Sequence, residues 1–110
     1  MKFLILACLA LSAPERYSDS FDLDAERHVA QSIVAELNGY PDAVLAELEL
    51  AHLYSPTNTW LTRQLVQRLV EQEGNISRAR EVIETALLYA PESPGLNRVY
   101  ALFELSLIHI

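Results

Sequence analysis

An all-α fold is predicted by three features of the sequence. Apolar residues recur at three- and four-residue spacing in five segments between positions 22 and 104, the period of a helix with one buried face. No turn dipeptide is flanked by alternating strand-like residues, because Asn38-Gly39 sits between helical periods. The chain also aligns with itself at an offset of 35 residues, pairing Val34 with Leu69, Gly39 with Gly74, Leu48 with Ile83 and Glu49 with Glu84. The same shift pairs Ala51 with Ala86, Leu53 with Leu88, Tyr54 with Tyr89 and Pro56 with Pro91. A period of this size marks stacked supersecondary units, here antiparallel helix hairpins, about two and a half of them.

Each helix has its own start, face and stop. Asp22 or Asp24 can cap the first, whose expected inward face is Ala25, Val29, Ala30, Ile33, Val34 and Leu37. Asn38-Gly39 stops it, since glycine takes the left-handed conformation at no steric cost. Pro41 suits the first turn of a second helix, where a missing N–H is harmless. That helix is expected to bury Val44, Leu45, Leu48, Ala51 and Leu53 and to end at Ser55-Pro56. Thr57 and Asn58 are cap candidates for a third, with Trp60, Leu61, Leu65, Val66, Leu69 and Val70 inward and Gly74 as its stop. A fourth begins at Asn75 or Ser77, packs Ile76, Ala79, Val82, Ile83, Ala86 and Leu87, and ends at Pro91. Ser93-Pro94 starts a fifth, with Leu96, Val99, Tyr100 and Phe103 inward.

From Asp22 to Glu104 these units resemble the tetratricopeptide repeat. The resemblance is best in Gly74, Ala79, Ile83, Ala86, Leu87, Tyr89 and Pro91, which match that family's turn glycine, small residue, bulky apolar residue, second small residue and closing proline. Gly39, Leu48, Ala51, Tyr54 and Pro56 repeat much of it, with Val44 where the first small residue belongs. Gln67 and Ser32 replace another small residue, and Arg63 and His28 replace a large apolar one. Each unit is one residue longer than the usual length of about 34. These departures leave a related helical-repeat subfamily as the alternative. The resemblance implies an α-solenoid whose first helices line a peptide-binding groove. Carried onto this chain, the groove residues are Glu36, Gln64, Arg68, Glu71, Gln72 and Arg98, with Arg68 available for a carboxylate.

The ends differ from the middle. Met1-Lys2 precedes an uncharged apolar run, Phe3 to Ala13. Residues 1–13 therefore read as a secretory signal peptide, too short for the roughly 20 residues of a membrane span. Export to the periplasm or the exterior follows. Two alternatives stay open: a lipoprotein acylated at Cys8, the one route to membrane association, and a cytoplasmic protein whose first core helix is this run. Residues 14–21 are polar and aperiodic and read as a linker. Leu105–Ile110 resembles the in-frame translation of a transposon-end sequencing adapter. It reads as a non-native tail, with the natural chain continuing beyond Glu104.

Charge and composition exclude several functions. Fifteen acids against eight Lys and Arg give a net charge of −7, the wrong sign for displacing counterions from nucleic acid. The acids concentrate early, nine against two Arg over positions 15–49, and could steer a basic partner. One Cys and three His supply no multi-Cys zinc site, and no nucleophile-elbow, phosphate-loop or dinucleotide pattern occurs. His28 and His52 read as separate surface or seam histidines. Glu47 and Glu49, two apart on a helix, point to different faces and are unsuited to paired-carboxylate catalysis. Trp60 reads as packing at the junction of the units, and Tyr54 and Tyr89 as sharing one packing role. The expectation is a non-enzymatic, cofactor-free scaffold for a protein or peptide partner. The alternative is a packing platform for an enzymatic or envelope domain downstream.

Overall fold

In the computed structural model, which describes residues 22–108, those residues form five successive α-helices, with no strand among them. They are α1 (Leu23–Leu37), α2 (Pro41–Tyr54), α3 (Thr59–Glu73), α4 (Ile76–Tyr89) and α5 (Pro94–Ile108). The signal and linker readings at 1–13 and 14–21, Cys8 and the last two tail residues lie outside the described residues. Helix α5 runs on through Leu105–Ile108, and Leu107 packs partly buried against the core. No described helix is long and apolar enough to cross a membrane.

Local chemistry sets the boundaries. Asp22 caps α1, its Oδ1 accepting from the backbone N–H of Asp24 at 2.7 Å and of Ala25 at 3.2 Å. Asn58, Asn75 and Ser93 cap α3, α4 and α5 in the same way, accepting from Leu61, Arg78 and Leu96. Pro41 opens α2 without a side-chain cap. Gly39 and Gly74 hold positive φ, 78° and 60°. The N–H groups of Tyr40 and Asn75, just beyond them, close back onto Ala35 and Leu69.

Helix α3 is central. It packs against α2, α4 and α5, and Leu61, Thr62, Leu65, Val66 and Leu69 are all buried. Helix α1 makes the most extensive pairing of the chain, with α2 and largely through small or polar residues, and it meets α3 through the Glu36–Arg68 ion pair. Ala25 and Ser32 are buried, with Val29 and Ala35 partly so. The expected inward positions Ala30, Ile33, Val34 and Leu37 instead face solvent, so the face assigned to α1 from its apolar residues is corrected. Leu53 and Trp60 are likewise exposed rather than packed. Tyr54 stacks on His28 with ring centroids 5.8 Å apart, whereas Tyr89 is exposed, so the two equivalent tyrosines do not share one role.

Two tight places join the elements. At the foot of α5, Gly95 is buried where a Cβ would run into the Thr59 side chain, including its Cγ2 at 2.9 Å and Cβ at 3.1 Å. At the seam of α2 and α3, buried His52 sets Nε2 at 3.2 Å from Oγ1 of fully buried Thr62. Burial pushes the His52 imidazole below its ordinary range, a shift that Glu49 opposes, Arg78 reinforces and a hydrogen bond to the Pro56 backbone opposes.

Gly95→Ala is expected to destabilise the fold by about 1–3 kcal/mol in urea unfolding, overpacking outweighing the helix propensity that alanine adds. For His52 the sign follows from linkage. The unfolded chain takes up the proton near pH 6.5, while the folded chain holds it off until lower pH. Its contribution is therefore complete above that value and is lost as pH falls below it. Unfolding midpoints should drop between about pH 7 and pH 5, and His52→Gln should flatten that drop.

Candidate interaction surface

Polar side chains on α1, α3 and α5 supply the material for a binding surface, and helix periodicity decides which of them meet. Successive residues turn by about 100°, so a one-position change of register moves a stripe by a third of the circumference. The expected stripe of Gln64, Arg68 and Gln72 runs beside the buried face of α3, toward α1. There Arg68 Nη2 donates to Glu36 Oε1 at 2.9 Å, joining two of the expected groove residues across the first and third helices. The Arg68 side chain is mostly covered and its partner mostly exposed. Arg68 therefore already holds a carboxylate of its own chain. Gln64 is half-buried, Gln72 is exposed, and Arg98 is exposed on α5.

A cleft of about 290 Å³ opens on the other flank of α3, between it and α5. Its apolar lining is Val66, Val70, Val99, Leu102 and Phe103, and its polar lining is Arg63, Gln67, Glu71 and Ser106. Of the six expected groove residues only Glu71 lines it. The stripe at the cleft is Arg63, Gln67 and Glu71, one position before the expected one, with Gln67 Nε2 donating to Glu71 Oε2 at 3.4 Å. A signal for it was present, since Arg63 and Gln67 are the two α3 positions whose polar side chains break the repeat pattern. Chemically the cleft offers an apolar floor with one cation and one anion at its rim, suited to an apolar side chain flanked by polar backbone.

Elsewhere, ion pairs tie helices together. His28 Nδ1 donates to Glu47 Oε1 at 2.7 Å, linking α1 to α2, while Arg78 bridges Glu49 at 2.7 Å and Glu81 at 3.0 Å. Glu47 and Glu49 thus serve different neighbours. Arg80 pairs with Glu104 and lies over the Phe103 ring, its guanidinium carbon 5.3 Å from the centroid. Among the described residues no group of three or more His, Cys, Asp and Glu is arranged to hold a metal ion.

Comparison with protein-family models, with curated proteins and with solved structures finds no match to this chain. A double-mutant cycle on Arg68→Ala and Glu36→Ala should return a coupling of about 0.5 kcal/mol that fades in high salt, as for other solvent-accessible pairs. Urea denaturation of the four proteins measures it.

Proposed function

We propose that the chain is a tetratricopeptide-like helical-repeat segment of an exported protein, serving as a non-enzymatic scaffold that holds a peptide segment of a partner. The α3/α5 cleft carries this reading, because an apolar floor with a polar rim between two helices is the setting in which a peptide buries one or two apolar side chains. The 35-residue internal repetition supports a solenoid arrangement, as do the matching caps Asn58 and Ser93 and the matching positive-φ glycines Gly39 and Gly74. Export rests on the Phe3–Ala13 run alone.

The rim sets the preference. Arg63 and Glu71 stand two turns apart on α3, so a bound segment with an acid near Arg63 and a base near Glu71 is favoured over the reverse order. Displayed random peptides selected on the full chain should enrich an apolar anchor between such charges. Leu102→Asp and Arg63→Glu, both at exposed positions, should each weaken the selected peptide about tenfold or more without loss of helical circular dichroism. Failure to enrich any peptide, or indifference of a selected one to both substitutions, would refute the reading.

A further inference from the structure

The seam between α1 and α3 and the seam between α3 and α5 are closed differently. In the first, the mostly covered Arg68 of α3 reaches Glu36 of α1 at 2.9 Å. In the second, the 35-residue repeat sets Glu71 in the place of Glu36 and Phe103 in the place of Arg68, and both line the cleft. Phe103 is buried, so α5 sends no cation across from that position. Glu71 is exposed and pairs with no cation among the described residues; its hydrogen bond comes from the neutral Gln67 amide, at 3.4 Å. The cleft thus carries the carboxylate of the repeated pair without its guanidinium.

We infer that the α3/α5 cleft selects an arginine of the bound peptide, whose guanidinium pairs with Glu71 and completes from outside the ion pair that Arg68 and Glu36 make within the chain. The inference rests on the peptide-binding reading and names the residue that the site recognises. Three observations favour arginine over lysine. The walls beside Glu71 are apolar, with Val70, Leu102 and Phe103 in the lining. A guanidinium is less strongly hydrated than an ammonium, so laying it and its stem against such walls costs less. The acceptors are the second observation. Gln67 donates through Nε2, which leaves its amide oxygen beside the Glu71 carboxylate on one stripe of α3, a set of oxygens suited to a planar fork of five donors. The third is the chain's own precedent, since the cation that closes the α1/α3 seam is an arginine. Size and charge agree. About 290 Å³ lies at the lower end of small-molecule sites and admits one or two side chains. The net charge of −7 favours a basic segment, and Arg63 repels its cation from the other end of the stripe.

Displayed random peptides, selected in parallel on the full chain and on its Glu71→Arg variant, test this. On the unaltered chain one peptide position should enrich Arg over Lys by about threefold or more. On Glu71→Arg the same position should turn to Asp or Glu while the apolar anchor stays, with helical circular dichroism unchanged because Glu71 is exposed. Should that variant fold poorly, Glu71→Gln and one selected peptide decide. Glu71→Gln should weaken the peptide about fivefold or more, and replacing the peptide's Arg by Lys should cost affinity on the unaltered chain but little on the variant. Equal enrichment of Lys and Arg overturns the inference, as does an Arg preference that survives Glu71→Arg or Glu71→Gln. Either result leaves the peptide-binding reading standing so long as Leu102→Asp still weakens the selected peptides. Failure to enrich any peptide overturns both.

Discussion

The packing of one face of α3 against three neighbouring helices is the constraint on which the rest of the structure depends. Leu61, Leu65 and Leu69 run along its axis almost without exposure, and Thr62 and Val66 widen that face toward its neighbours. That face holds α2, α4 and α5 at once, and α1 is positioned in turn on α2. The one polar group at the centre of the face, Thr62, is answered by His52 from α2, and no buried side-chain polar atom among the described residues is left without a partner. The α3/α5 cleft has the same origin. Where α5 closes onto the foot of α3 at Gly95, the helices touch; farther along they part, and Val66, Val70 and Phe103 line the opening.

What the sequence made legible is what is decided within a few residues. The all-helical class, the caps at Asp22, Asn58, Asn75 and Ser93, and the left-handed glycines at 39 and 74 depend on chemistry local to each turn. The inward residues of α4 and α5 were legible for a related reason. Those helices present one clear apolar stripe, so period and burial coincide at Ala79, Val82, Ile83, Ala86, Leu96, Val99 and Phe103.

Pairing across helices was not legible. Asp24, the acid one turn before His28 on its own helix, pairs with Arg27 instead; the carboxylate that His28 meets, Glu47, comes from the next helix, 19 residues away. Arg68 finds Glu36 at a separation of 32 residues, a contact between two expected groove residues that lie on different helices. The α3/α5 cleft is lined by the stripe one position before the one expected to line a groove. Periodicity establishes that α3 has polar stripes, but which of them faces α5 depends on a rotation about the helix axis that only the packed neighbours fix. Gln67 and Arg63 stood out as breaks in the repeat, and both line the α3/α5 cleft.

Helix α1 shows how far that rotation can go. In α3 the large apolar residues point inward because three neighbours cover them; α1 packs extensively on α2 and meets α3 through the Glu36–Arg68 pair, and it turns its small side to α2. Alanines and Ser32 line the most extensive helix pairing in the chain, with the His28–Glu47 bond and the His28–Tyr54 stack fixing its register. Turning Ile33, Val34 and Leu37 inward would force α1 away from α2 and break that bond and stack. The apolar face is thus left outward by a geometric choice rather than by a lack of hydrophobic residues. A helix with two competing faces commits the polar, hydrogen-bonded one to its own fold, because those groups require fixed partners.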